Sequence, residues 1–162
     1  MSDQTLSLAC VAIPDGYGRY LLVRKTGTKV YEFPGGELPA GGDATEVVVN
    51  ECARQVGVHL NAATLTKLGT FTADAYEDPT TDIDATVFLG SGGALALPYD
   101  DIDALIWAYP GATAAPEEGR ILSPLVNKVF GKLRPGVRRL RPFPAAPAAE
   151  NGAVIAPSQQ DN

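Results

Sequence analysis

Residues 33–58, FPGGELPAGGDATEVVVNECARQVGV, constrain the fold more than any other part of the chain. Two glycine pairs bracket a proline-bearing loop, and a helical pattern follows at once. Asp43 stands where a helix N-cap is needed, and Glu46 three residues on completes the sequence form of a capping box. Val47, Val48, Cys52 and Val56 recur at helical spacing, and Gly57 supplies a left-handed stop. The segment therefore predicts a loop delivered onto the start of a helix over 43–56. Glycines in such a loop let backbone approach a ligand closely, which suits a phosphate-facing element as well as a plain structural turn.

The flanks supply the strands to hold that unit. TLSLACVAI at 5–13 is β-prone and ends at Pro14-Asp15-Gly16, and YLLVRK at 20–25 follows, so the two read as a hairpin. Residues 29–33 alternate again. The stretches 64–76 and 83–90 predict a second hairpin turned by 77–81, and a further strand is expected at 102–109. Leu125, Val126, Val129, Phe130 and Leu133 predict a final helix over 123–133. Strands interrupted by one early and one late helix make an α+β chain or an α/β/α sandwich rather than a doubly wound sheet. No internal repeat is present.

Charge divides the chain. Residues 1–127 carry a net −10 and residues 128–162 a net +4, within an overall −6. The expected organisation is one domain over 1–133, then a disordered tail over 134–162 that is basic first and Pro/Ala-rich after. An acidic body repels phosphate backbones, which argues against a nucleic-acid footprint on the folded part. The basic cluster Lys128, Lys132, Arg134, Arg138, Arg139 and Arg141 is the one segment able to touch RNA, DNA or an anionic surface. No apolar run approaches the roughly 18 residues of a membrane helix. The polar start Met1-Ser2-Asp3-Gln4 lacks a signal-peptide n-region. Cys10 and Cys52 are spaced for neither a zinc site nor a disulfide framework. A cytoplasmic protein is expected, and an edge-strand or helix homodimer is compatible with this pattern.

The loop and helix resemble the Nudix box, G-x5-E-x7-R-E-U-x-E-E-x-G-U with U aliphatic. Gly36 takes the first position, Glu51 the second Glu, Gly57 the last Gly and Val58 the final aliphatic; Cys52 is a small apolar substitute at a fifth position. Tyr31 and Phe33 precede Pro34-Gly35-Gly36 as aromatics often do in the family, and Trp107 resembles a tryptophan common near the start of a late strand. The likeness spans residues 6–133 and implies an α+β fold, the Nudix α/β/α sandwich with a mixed β-sheet between helices. It also implies hydrolysis of a nucleoside diphosphate linked to another moiety, with Mg²⁺ or Mn²⁺ held by box carboxylates.

The departures fall on the charged positions. Gly42 replaces the first Glu, Asn50 the Arg, and Arg54 and Gln55 the Glu-Glu pair. Glu51 alone remains as catalytic carboxylate and metal ligand. A cluster of three glutamates carries −3, whereas Glu51, Arg54 and Gln55 together carry none, and a guanidinium repels a divalent cation. Arg54 either pairs with Glu51 along the helix or binds a phosphate itself, with Gln55, Gly35, Gly36 and Arg24 as its partners. Three readings stay open: a divergent hydrolase using Mg²⁺ or Mn²⁺, a cofactor-free sensor of a nucleotide or nucleotide sugar, and an interaction domain with a vestigial pocket. Acids at 74–84 or 100–103 are solvated loop tips or part of a rebuilt metal site. With one histidine, His59, no Ser-His-Asp or Cys-His arrangement is available.

Overall fold

The computed structural model describes residues 4–111 and 119–133. Two four-stranded sheets stand between two helices. The first contains β1 (Gln4–Ala12), β4 (Gly35–Glu37), β5 (Thr66–Asp74) and β6 (Thr81–Leu89) in the order β4-β1-β6-β5. The second contains β2 (Tyr20–Lys25), β3 (Val30–Glu32), β7 (Ile102–Ala108) and β8 (Ile121–Leu122) in the order β7-β2-β3-β8. Each sheet is mixed: β1 runs parallel to β6 and β3 parallel to β8, and the other pairs are antiparallel. Helix α1 (Ala44–Val56) covers one side and α2 (Pro124–Leu133) the other.

The apolar run in β1 is explained by coverage on both faces. Ala9, Val11 and Ile13 point to the α1 side and meet Val48, Cys52 and Val56. Cys10 and Ala12 point to the α2 side, among Val126, Val129 and Phe130. Phe130 is the main filler there, its ring edge-on to Phe33 with centroids 5.8 Å apart.

The local signals in the sequence are obeyed. The Asp43 side chain accepts the Thr45 N–H at 3.0 Å, and Gly57 closes α1 at φ +71° with its N–H on the Ala53 carbonyl. Ser123 Oγ caps α2 through the Val126 N–H at 3.1 Å. The second hairpin forms as β5 and β6, and its turn is tied by the Asp78 carboxylate, which accepts from Thr80 and Thr81.

Four expectations need correction. Residues 5–13 and 20–25 turn back through a single bridge, Pro14 to Tyr20, and then part into different sheets, because β1 is claimed by β6 along its whole length. The glycine loop is partly strand: Gly35 and Gly36 pair antiparallel with Cys10 and Ala9. A Cβ at Gly35 would lie 2.2 Å from the Ala9 carbonyl oxygen, so only glycine allows that approach. The capping box is half made, since among the described residues no hydrogen bond joins Glu46 to the Asp43 N–H. Trp107 lies near the end of β7 rather than its start. The tail 134–162, with Arg134, Arg138, Arg139 and Arg141, lies outside the described residues.

Candidate functional site

Two neighbouring regions contain Glu51, Arg54, Gln55, Gly35 and Gly36, five of the residues singled out in the sequence. The first is the outer surface of α1 near its end. Glu51 and Arg54 are one turn apart, and the guanidinium bonds Glu51 Oε1 through Nη2 and through Nε at 3.2 Å. On its other side Nη1 pairs with Asp100 and lies 3.6 Å from Asp101. Arg54 thus sits among three carboxylates, two of them from the segment that leads into β7. The hydrogen bond to Glu51, then that to Asp100, push its pKa further up, so the guanidinium stays charged. Asp100 holds a left-handed backbone, φ +58°, which aspartate tolerates better than most residues.

That segment is stapled to the helix by backbone as well. The N–H groups of Leu97 and Tyr99 donate to the carbonyls of Val56 and Gln55, at 3.1 and 2.9 Å. These bonds satisfy two of the carbonyls left open at any helix C-terminus. Tyr99 lies against Gly57, where a Cβ would fall 2.7 Å from its ring.

The second region is a cavity of about 530 Å³ between the sheets, closed at one end by the start of α2. Leu6, Leu8 and Cys10 of β1, Ile83 of β6, Phe33 and Leu125 supply apolar wall. Gly35, Gly36 and Gln55 bring the glycine loop and α1 to its edge. Gln55 is 1% exposed. Its Oε1 accepts the Gly35 N–H at 3.2 Å and its Nε2 donates to the Gly35 carbonyl at 3.0 Å. This reciprocal pair fixes the loop to the helix and uses both ends of the amide. Glu51 stands behind Gly36, where a Cβ would lie 2.9 Å from Glu51 Cγ.

Arg24 is elsewhere. It points with Tyr31 to the opposite face of β2 and β3 from the cavity, its guanidinium 5.9 Å from the Tyr31 ring centroid. Nη1 donates to the Thr28 carbonyl at 3.1 Å, and Nη2 pairs with Asp103 at 3.1 Å. His59 is exposed. Burial pushes the Cys10 and Cys52 thiols up to about 12, Glu32 adding to the shift of Cys10, so neither is a thiolate nucleophile near neutrality.

Sequence reasoning missed Glu32. It is half-buried, lines the cavity, and pairs in register with Val23 across β2 and β3. Burial pushes its pKa up; nearby Lys25 works against that and Glu77 with it. Alternation in KVYEF marks Glu32 only as lying opposite Tyr31, which reads as the solvent side until a second sheet faces it. The contact of Asp100 with Arg54 was equally hidden, because it joins residues 46 apart through an irregular segment.

The overall architecture recurs in solved structures. It is similar to the crystal structure of a MutT Nudix hydrolase from Burkholderia pseudomallei, with a TM-score of 0.63 and 18% identity over 80% of this chain and 98% of that one. The MutT protein of Methanosarcina mazei Go1 gives a TM-score of 0.61 at 15% identity, over 82% and 95% of the two chains. A UDP-X diphosphatase gives 0.59 at 19%, over 83% of this chain and 64% of that one. The fold is the Nudix fold. No protein-family model matches the sequence, and no curated protein sequence does.

The box region of this Nudix-fold protein does not suit a divalent cation. A Mg²⁺ or Mn²⁺ ion needs several oxygen donors with no competing positive charge. Here Glu51 Oε1 already accepts from Arg54 and lies 3.4 Å from Gln55 Nε2, Gln55 is turned to Gly35, and the guanidinium stands between Glu51 and the two aspartates. Among the described residues no three His, Cys, Asp or Glu side chains group so as to hold a metal ion. No described helix is long and apolar enough to cross a membrane.

Proposed function

We propose that this protein is a Nudix-fold binding protein that receives a small molecule in the cavity between its sheets and does not use box-held metal to hydrolyse it. The observation that carries this reading is the engagement of Arg54 by Glu51, Asp100 and Asp101. Metal-assisted attack on a phosphoanhydride needs a cation that polarises phosphoryl oxygen and lowers the pKa of water. A guanidinium can neutralise charge but cannot generate hydroxide. The cavity offers what binding requires, since its volume lies within the usual range for small-molecule sites and its wall is largely apolar. Arg54 is saturated by its own chain, so its service to a ligand phosphate would require Asp100 and Asp101 to release it.

The likeness to proteins described as a MutT Nudix hydrolase and a UDP-X diphosphatase supports the competing reading of a divergent hydrolase. The deciding experiment is a thermal-shift titration against nucleotides, nucleotide sugars and small organic ions, with Mn²⁺ and again with chelator. Each well is then assayed for released phosphate and monophosphate. Metal-independent stabilisation without product is expected. Metal-dependent product formation in any well would overturn the binding reading.

A further inference from the structure

We infer that the cavity between the sheets selects a compact organic cation with an apolar body, an amidine or a protonated amine, and that Glu32 is the group that recognises it. The inference rests on the binding reading above and names the ligand class of that same cavity.

The charge of the lining is the first observation. Among the described residues, five acidic residues line the cavity, Glu32 within it and Glu37, Asp74, Glu77 and Asp78 around its rim, against one cationic residue, Lys25. A concave site with low-dielectric walls focuses such a field, attracting positive ligands and repelling phosphates. An anionic nucleotide entering without a metal would meet that field with Lys25 alone, among the described lining residues, in its favour.

Glu32 is the second observation and the more specific one. Among the described residues it has no hydrogen-bond or ion-pair partner; Lys25 is close enough to influence it but forms no ion pair with it. Its carboxylate oxygens stay open to solvent rather than sealed in the core, and an unpaired carboxylate facing a cleft is a candidate for ligand contact. Glu32 is in a strand opposite Val23, beside Phe33, with Cys10 and Leu8 across the gap. A planar amidine presents two parallel N–H donors to a carboxylate, and its hydrocarbon part would lie on Leu6, Leu8, Phe33 and Ile83.

The test uses the full chain and three isosteric probes that differ only in charge: benzamidine, benzamide and benzoate. Calorimetry or ligand-observed NMR is expected to show benzamidine binding at least tenfold more tightly than benzamide, with benzoate weakest. Glu32→Gln, with its fold checked by circular dichroism, should bring benzamidine down to the benzamide level. Lys25→Gln should move the other way and tighten benzamidine, so the two variants guard against an effect of unfolding. Equal binding of the three probes, tighter binding of benzoate, no binding of any, or no response to either variant would each overturn the inference. These outcomes leave the binding reading standing, because only metal-dependent turnover speaks against that.

Discussion

Gln55 and Glu32 show how much a single side chain can decide here, one by being fully used and the other by being unused. Gln55 replaces a backbone partner for Gly35, answering both its N–H and its carbonyl. Gln55→Leu keeps the volume and orphans both groups. The expected cost is about 2 kcal/mol in urea unfolding, and the glycine loop should exchange its amides faster. A cost near zero would mean that water or another residue serves Gly35 equally well. Glu32 works in the opposite direction. Its pKa is raised in the folded state, so the native protein binds this proton more tightly than the unfolded chain, and the group loses stability for the fold as pH rises through that range. Glu32→Gln should therefore raise the melting temperature at pH 7 relative to the parent. Below the ordinary carboxylate range that gain should vanish, because both states of the parent are then protonated. A gain unchanged at low pH would assign the effect to packing instead. The cations and acids that bear on this titration are Lys25 and Glu77, with Cys10 nearby.

At the scale of elements, the segment between β6 and β7 is attached to α1 by two backbone bonds and by the Arg54 pairs. Exposed ion pairs contribute little singly, and Arg54 is 43% exposed, so the cluster adds about 1 kcal/mol at most. Its main effect is positional. Arg54→Glu would leave four carboxylates converging with no cation between them. That variant should melt lower than the parent, regain the loss with added Mn²⁺, and show faster amide exchange at Leu97 and Tyr99. Indifference of the variant to Mn²⁺ would show that the carboxylates do not converge once the guanidinium is gone.

The same scale shows what could be read from the sequence. Helix α1, its Asp43 cap and its Gly57 stop were legible because each depends on neighbours within four residues. The hairpin of β5 and β6 was legible for the same reason. The separation of β1 from β2 was not, since nothing local in 5–25 announces that β6 will compete for β1. The likeness to the Nudix box located the loop and Glu51. It could not reveal that Gln55 would turn inward while Arg54 met Asp100, because those outcomes depend on the rotation of α1 and the course of a distant segment.

For the whole molecule, both sheets contribute to the same two apolar clusters, one with α1 and one with α2, and the cavity lies between the sheets. We propose that the domain ends at Leu133: a chain cut there keeps every contact among the described residues, and it should melt within a few degrees of the full protein and bind the same ligands. Any affinity for nucleic acid should be salt-sensitive and should disappear with that truncation, because the described body is acidic and the cationic cluster lies mostly beyond it. Binding that survives truncation would place the contact on the folded part.

The register of β1 has a further consequence for how the chain is made. Every residue from Gln4 to Ala12 pairs with one 77 positions later. A ribosome delivers β1 first, and its parallel partner emerges only after α1 and β5 have been synthesised. During that interval one of the most apolar strands has only the short β4 beside it and α1 over one face, while the face that α2 will cover stays open. Late, long-range closure of this kind slows folding and exposes the nascent chain to association with other copies. Expression at lower temperature, or with a chaperone that shelters extended apolar segments, should accordingly raise the yield of this protein more than it does for a domain whose first strand closes on a neighbouring hairpin.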